Sequence, residues 1–148
     1  MTDPRQVAGL EYLRAVVAGN APQSPMAATI GIALTEVTHG VAVFRGAPDG
    51  RFLNPLGVVH GGWYGTILDS ALGCAAQTTL PPGKIYTTLE YKVNLARALP
   101  PSTQVEARAE VQHAGRSTVV ARAELRGLDD GRLYATGSTT CIILDAPG

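Results

Sequence analysis

The stretch FLNPLGVVHGGWYGTILDSALG, residues 52–73, joins a long apolar run to a histidine, several glycines and a single aspartate. From about Gly62 to about Thr78 the residues are apolar or small, and the PPG of residues 81–83 closes the run, which predicts a helix. At 100° per residue its large apolar side chains share one face, which we expect to pack against a sheet. That face holds Trp63, Tyr64, Ile67, Leu68, Ala71, Cys74 and Ala75.

The opposite face of this helix carries Asp69 among small residues. Each glycine inside a helix costs about 1 kcal/mol relative to alanine, so we expect a second helix or a ligand to approach this face closely. An exposed aspartate in mid-helix would need no special role. A covered carboxylate, in contrast, requires partners and is a candidate for chemistry. The small residues of this face are Gly62, Gly65, Thr66, Gly73 and Ala76.

The head of the helix predicts a site for a negatively charged oxygen. The first backbone N–H groups of a helix have no intrahelical partner and carry a partial positive charge, and Gly61 and Gly62 leave them unobstructed. Asp69 lies roughly 10 to 12 Å further along the axis, at 1.5 Å per residue. Because one reacting carbon cannot contact both groups, we predict a homodimer in which two copies share each site.

The rest of the chain predicts an antiparallel sheet. Apolar and polar residues alternate after Lys84, which is typical of strands with one covered face. In residues 84–95 the odd positions, Thr87 among them, share the face predicted to meet the helix. The fold class is therefore α+β, with a curved antiparallel sheet wrapped around a long central helix. Further predicted strands are GIALTEV and VAVFRGA around His39-Gly40, VEARAEV and VVARAEL, and LYATGSTTCIIL, with turns at residues 113–116 and 128–131.

The N-terminal part predicts one more helix. Asp3 followed by Pro4 resembles an N-cap with proline at the first helical position, and the pattern ends at Gly19. We expect residues 1–24 to form this helix and a linker, and residues 25–148 to form the main domain. Its predicted apolar positions are Val7, Leu10, Leu13 and Val17.

Composition limits the function classes. The 148 residues include twelve basic and twelve acidic residues, which argues against a nucleic acid or an anionic membrane as partner. No run reaches the roughly 20 apolar residues of a membrane span, so we expect a cytoplasmic protein. Cys74 and Cys141 lack the spacing of a metal site, and we expect two reduced thiols.

Several segments together resemble a known family. The run NPLGVVHGG with an aspartate nine residues after its histidine, the strand TTLEYKVN, a GRS turn and the closing GRLYATGSTTCIIL resemble hotdog-fold acyl-CoA thioesterases of the PaaI type. The similarity extends from about residue 25 to 145. It implies edge-to-edge dimers that often pair into tetramers. It also implies hydrolysis of acyl-CoA to a carboxylic acid and coenzyme A, with no metal or other cofactor.

The resemblance assigns a role to each candidate residue. Asp69 falls on the catalytic carboxylate, as nucleophile or general base, and Gly61 on the backbone N–H that polarises the thioester carbonyl. Asn54 and His60 fall on supporting polar positions of the loop. Thr87 falls on the hydroxyl that helps to place the attacking water. By this pattern Asp69 and Thr87 come from one subunit and the other three residues from its neighbour.

Other assignments have structural alternatives. Gly115, Arg116 and Ser117 resemble the turn beside the nucleotide end of coenzyme A, where Arg116 could pair with phosphate, but an exposed turn arginine fits equally. His60 also fits a plain helix cap, and Asn54 a turn former. Some relatives carry serine or threonine where this chain has Gly73.

The same fold also serves acyl-thioester dehydratases or hydratases and non-enzymatic acyl-CoA-binding proteins. The sequence does not identify the acyl group.

Overall fold

In the computed structural model, which describes residues 3–148, six antiparallel strands form one sheet in the order β1-β2-β4-β5-β6-β3. The strands β1 and β3 are therefore the two edges. This arrangement confirms the predicted α+β class with a curved sheet around a long helix. The strands are β1 Ile32–Thr38, β2 Val41–Gly46, β3 Lys84–Leu95, β4 Val105–Ala114, β5 Thr118–Gly127 and β6 Leu133–Asp145.

The central helix α3, Gly61–Gln77, packs its apolar face on the sheet. Ile67, Leu68 and Leu72 are completely buried, and burying a side chain of this size stabilises the fold by about 1.5 to 3 kcal/mol. The predicted helix and its buried face are confirmed, except that Cys74 is only half-buried and lines the same cleft as Asp69. Two shorter helices, α1 Gly9–Val17 and α2 Pro25–Ile30, precede the sheet, and a 3-10 turn, Gly50–Phe52, follows β2.

Strands β4 and β5 show the predicted alternation. Their apolar positions are buried under α3, and their charged positions lie on the outer surface of the sheet. Apart from Val111, which is half-buried, the predicted inward residues are all buried: Val105, Ala107, Ala109, Val119, Ala121, Ala123 and Leu125.

Strand β3 departs from the predicted alternation because it contains a bulge. Thr88 pairs with Cys141 and Glu90 with Thr140, so Leu89 has no partner in the ladder. An extra residue exchanges the two faces of a strand, so the even residues face α3 before the bulge and the odd residues face it afterwards. The prediction that Thr87 faces the helix is wrong: Thr87 is exposed, and Thr88 is half-buried.

The N-terminal helix begins later than predicted. Ala8 is the N-cap of α1 and gives no side-chain hydrogen bond, so the predicted cap at Asp3 is wrong. The Asp3 carboxylate instead accepts hydrogen bonds from the backbone and the guanidinium of Arg5. Leu13 and Val16 of α1 belong to the main core cluster, so this segment packs on the same core as the sheet.

Helix α2 is absent from the sequence-based prediction. Ser24 caps it by accepting a hydrogen bond from the Ala27 N–H at 3.1 Å, and Gly31 ends it in the left-handed conformation, with φ 74°. The preceding linker is held against edge strand β1 by Gln23. The Gln23 side chain accepts from the Leu34 N–H at 3.0 Å and donates to the Leu34 carbonyl at 3.2 Å.

Candidate functional site

The main cleft of the molecule lies beside α3 and contains Asp69. It has a volume of about 650 Å3 and is bounded by α3, the first half of β3, α1 and the linker. Its polar groups come mainly from α3 and β3, and its far wall is apolar. Around Asp69 the lining includes Thr66, Ser70, Cys74, Tyr86, Thr88 and Tyr91, and the apolar wall includes Leu13, Val16, Pro25, Met26 and Phe44.

Asp69 is half-buried and has no hydrogen-bond or ion-pair partner within residues 3–148. Burial raises the pKa of its carboxyl group above the ordinary value of 3.8, and no neighbouring cation offsets the effect. A carboxylate with a raised pKa is a stronger base, and one without partners can bind a water molecule or attack a substrate.

Two other groups of this cleft, Cys74 and Tyr86, remain neutral near neutral pH. Burial, with a smaller contribution from the charge of Asp69, raises the pKa of the Cys74 thiol to about 12. A protonated thiol is a weak nucleophile. Burial likewise raises the pKa of Tyr86. Asp69 is therefore the candidate base or nucleophile among the described residues of the cleft.

The threonine hydroxyl in the Asp69 cleft belongs to Thr88 and not, as the sequence had predicted, to Thr87. Thr88 lines the Asp69 cleft, whereas Thr87 lines a separate cleft between β3 and the N-terminal segment. The cause is the bulge at Leu89, which turns the even residues of this part of β3 toward the helix. An alternation that continues unbroken through β3 assigns Thr87 to the face toward the helix. The bulge shifts this assignment by one residue, to Thr88.

The glycines beside Asp69 accommodate two tyrosines of the same chain. A Cβ atom at Gly73 would overlap the Tyr86 hydroxyl, and one at Gly65 would lie 3.5 Å from the Tyr91 hydroxyl. At Gly73 the expected close approach is thus made by β3, whereas at Gly65 a Cβ atom would be in ordinary van der Waals contact with Tyr91.

The head of α3 offers one free backbone donor. His60 is the N-cap, and its Nδ1 accepts a hydrogen bond from the Gly62 N–H at 2.9 Å. The expectation that Gly62 leaves its N–H free is therefore wrong. Within the described chain the Gly61 N–H meets no acceptor, and the nearest atom to a Cβ there would be Cδ1 of Leu95. His60 has the capping role that the sequence left open.

Asn54 lies beside Gly61 and shapes the loop before α3. Its Oδ1 accepts from the Leu56 N–H at 2.9 Å, and its own N–H donates to the Val58 carbonyl at 2.8 Å. The side-chain oxygen thus forms the turn, while the side-chain NH2 has no partner among residues 3–148. Asn54 and Gly61 line the same cleft of about 300 Å3, together with Arg97.

The predicted site residues do not come together within one chain. Asn54 and Gly61 share one cleft, His60 lies in a second with Arg51, and Asp69 lies in a third. Gly61 and Asp69 are eight residues apart on one helix, or about 12 Å at 1.5 Å per residue. This separation is the one expected from the sequence.

The turn predicted to contact coenzyme A forms the exposed end of the β4-β5 hairpin. Gly115 donates to the Thr118 carbonyl at 2.8 Å, and the Ser117 carbonyl accepts from the Ile143 N–H at 2.9 Å. Arg116 is exposed, and none of the three residues lines the Asp69 cleft. Their contact with coenzyme A stays a prediction.

Two other sequence expectations concern metals and membranes. Residues 3–148 contain no group of three or more His, Cys, Asp or Glu side chains placed to bind a metal ion. Among the helices described, none is long and apolar enough to cross a membrane. Cys74 and Cys141 are both free thiols.

Comparison with known families identifies the chain. Residues 56–134, more than half of its length, match the family model of the thioesterase superfamily. The chain therefore belongs to the thioesterase superfamily, and it is a thioester hydrolase with the hotdog fold and a PaaI-like architecture. A comparison with curated proteins gives no match.

Solved structures agree with this assignment. A protein of Ralstonia eutropha JMP134, described as a phenylacetic acid degradation-related protein, is 29% identical with a TM-score of 0.81, over 88% of this chain and 98% of that one. A conserved protein of Pseudomonas aeruginosa is 32% identical with a TM-score of 0.76, over 82% and 95% of the two chains. A mutant of the phenylacetic acid degradation protein PaaI of Thermus thermophilus is 28% identical with a TM-score of 0.74, over 80% and 98%.

Proposed function

We propose that this protein hydrolyses acyl-CoA thioesters to a carboxylic acid and coenzyme A, with Asp69 as the catalytic carboxylate. The observation that carries the proposal is the partnerless Asp69 carboxylate, whose pKa burial raises, in a cleft that also holds the Thr88 hydroxyl. A thioester carbonyl is already electrophilic, so the enzyme needs mainly a delivered oxygen nucleophile and a donor for the developing oxyanion.

In the general-base form of the mechanism, Asp69 and Thr88 hold a water molecule against the thioester carbon. Asp69 takes a proton from this water while the water oxygen bonds to the thioester carbon. The carbonyl oxygen then becomes an oxyanion. The oxyanion accepts one hydrogen bond from the Gly61 backbone N–H at the head of α3. It accepts a second from the side-chain amide of Asn54 in the preceding loop. When the tetrahedral intermediate collapses, the C–S bond breaks, and coenzyme A leaves as a thiolate that takes up the proton.

In the nucleophilic form, a carboxylate oxygen of Asp69 attacks the carbon and expels the thiolate, which gives a mixed anhydride. Water then hydrolyses this anhydride. A single turnover in 18O-labelled water detects the anhydride when water attacks it at the carbonyl of Asp69. Direct attack by water puts the label in the acid product. Attack of water on the Asp69 carbonyl of an anhydride leaves the label in the protein.

We further propose that two copies complete each site. The edge strand β3 exposes Leu89, Tyr91 and Leu95, which are 57%, 47% and 54% accessible. A long apolar edge favours pairing with another strand. Pairing of two β3 edges would cover these side chains. Because Leu95 contacts Gly61, it would also bring the head of α3 near the Asp69 cleft of the partner. Further pairing of dimers into tetramers stays an expectation.

The acyl group remains to be assigned by experiment. Two solved relatives carry phenylacetic acid degradation in their names, so phenylacetyl-CoA belongs in a test panel beside benzoyl-CoA and straight-chain acyl-CoAs. Arg116 is our proposed contact for a phosphate of coenzyme A. Arg116→Ala should raise KM without changing kcat, since the residue lies on an exposed turn and does not line the Asp69 cleft.

The test is thiol release from this panel by the native protein and by Asp69→Asn. We expect Asp69→Asn to lower kcat by about 100-fold or more, because general-base catalysis contributes on the order of 10² to 10⁴. Equal turnover by both proteins would refute the role of Asp69. Hydration of an enoyl-CoA without thiol release would instead indicate a hydratase, and binding of acyl-CoA without any turnover would indicate a binding protein.

A matched pair of variants tests the oxyanion donor. Gly61 is the first residue of α3, a position that accepts proline, and His60 before it has φ −62° and ψ 139°, which proline also tolerates. Gly61→Pro therefore deletes the N–H and keeps the helix, while Gly61→Ala adds a Cβ and keeps the N–H. Losing an oxyanion donor costs about 10²- to 10³-fold in kcat. Equal activity of the two variants would contradict the assignment.

A further inference from the structure

Two tyrosine hydroxyls of β3 lie on the face of α3 that carries Asp69, one on each side of it. Gly65 and Gly73 are four residues before and after Asp69, so the three residues share one face of the helix. The Tyr91 hydroxyl lies against Gly65, and the Tyr86 hydroxyl against Gly73. The contact at Gly73 is the closer one, because a Cβ there would overlap the hydroxyl and lie 3.0 Å from Cζ of the ring.

The Tyr86 hydroxyl thus occupies the space where a side chain at position 73 would begin. Side chains on a helix point toward its N-terminus, so a group in this space lies between Gly73 and Asp69. Cβ atoms four residues apart on a helix are about 5 to 6 Å apart. Tyr86 and Asp69 line the same cleft, and the charge of Asp69 contributes to the raised pKa of Tyr86, so the two groups are near enough to interact.

Tyr86 is also available for such a contact. It lines the Asp69 cleft, and its hydroxyl makes no hydrogen bond to any other residue in the described part of the chain. A tyrosine hydroxyl can both donate and accept a hydrogen bond. Burial raises the pKa of this hydroxyl, so it remains a neutral donor at working pH.

We propose that the Tyr86 hydroxyl is a positioning group for the water that Asp69 activates, and that Gly73 makes room for it. The inference rests on the proposed function of Asp69 and adds a second hydroxyl to that of Thr88. Tyr134 is the control, because its hydroxyl donates to the Asp130 carboxylate at 2.8 Å and it lines none of the clefts described above.

The first test compares Tyr86→Phe with Tyr134→Phe. We expect Tyr86→Phe to lower kcat by about 10- to 100-fold with KM changed by less than about threefold, because positioning acts on the transition state. Tyr134→Phe should stay within about threefold of the native kcat, because its hydroxyl lies outside the Asp69 cleft. Native activity of Tyr86→Phe, or an equal loss in both variants, would overturn the proposal.

A pH profile provides a readout that a merely structural role would not change. Asp69 is faced by Cys74 from α3, Tyr86 and Tyr91 from β3, and Tyr12 from α1. A hydroxyl that donates to a carboxylate, directly or through water, stabilises the charged form. Tyr86→Phe should therefore move the acid limb of kcat/KM upward by about 0.5 to 1 pH unit. If the acid limb of kcat/KM stays in place in Tyr86→Phe, the Tyr86 hydroxyl does not interact with Asp69.

A double-mutant cycle tests the role of Gly73. Gly73→Ala should displace the Tyr86 hydroxyl and lower kcat on its own, but should add less than about threefold in the Tyr86→Phe background. Independent losses that multiply would contradict a shared mechanism. Thermal melts of all variants verify folding. If Asp69→Asn retains turnover, the proposed function of Asp69 fails. If Asp69→Asn is inactive but Tyr86→Phe is fully active, only the proposed role of Tyr86 fails.

Discussion

Replacing Asp69 by asparagine should stabilise the protein at neutral pH while abolishing its activity. The side chain is half-buried with no partner among the described residues, and burial raises its pKa above the unfolded value of 3.8. A carboxyl group with a raised folded-state pKa binds its proton more tightly in the folded protein. Its ionisation therefore destabilises the fold, and stability falls as pH rises from the unfolded pKa through the folded one. Asparagine has the same size and stays neutral.

The magnitude follows from the size of such shifts. One unit of pKa corresponds to about 1.4 kcal/mol, and the partial exposure of Asp69 reduces the effect, so we expect a gain of about 0.5 to 1 kcal/mol at pH 7. For a chain of this size the gain corresponds to a rise in Tm of roughly 1 to 4 °C.

Urea denaturation at pH 7 and below pH 3.8 measures this gain. It should disappear at the lower pH, where the unfolded carboxyl group is protonated too. Asp129→Asn, an exposed carboxylate in the β5-β6 turn, is the control and should change nothing. Equal or lower stability of Asp69→Asn at pH 7, or a gain that persists below pH 3.8, would refute the reasoning.

Three further predictions concern β3, the N-terminal helix and assembly. Thr88→Val should lower thiol release by about 10-fold or more, and Thr87→Val should leave it unchanged, since only Thr88 lines the Asp69 cleft. Gly9→Ala should destabilise the protein by on the order of 2 kcal/mol in urea, because its Cβ would overlap the backbone carbonyl of Gln77; Gly50→Ala, with open space around it, should not. Leu89→Lys should weaken self-association in sedimentation experiments, because the side chain is 57% exposed on an edge strand.

The elements that pack on the core were predictable from the sequence. Helix α3 and the strands β4 and β5 place apolar residues at the period of their own backbone, and burial under one core requires that period. The candidate chemistry at Asp69 followed from a charge on a face of small residues. Those glycines also predicted a close approach to the helix, although the residue types could not tell that Tyr86 makes it at Gly73.

The sequence-based predictions were wrong where strand pairing or local hydrogen bonds override the pattern of residue types. The residues TTLEY fit either face of a strand, so only the pairing of β3 with β6 reveals the bulge at Leu89 and selects Thr88. Asp3 has the residue type of an N-cap, but its carboxylate is satisfied by Arg5. Helix α2 is short, and its signals were present in Ser24-Pro25 and in Gly31.

We propose above that each site combines Asp69 of one subunit with Gly61 of the partner subunit. The most direct test mixes Asp69→Asn chains with Gly61→Pro chains and isolates the hybrid dimer by two different affinity tags. Each parent dimer should be inactive. In the hybrid, one site receives an intact Asp69 and an intact Gly61, so the account predicts about half of the native activity per dimer when binding is equal at both sites. An inactive hybrid from correctly folded chains would contradict the shared site.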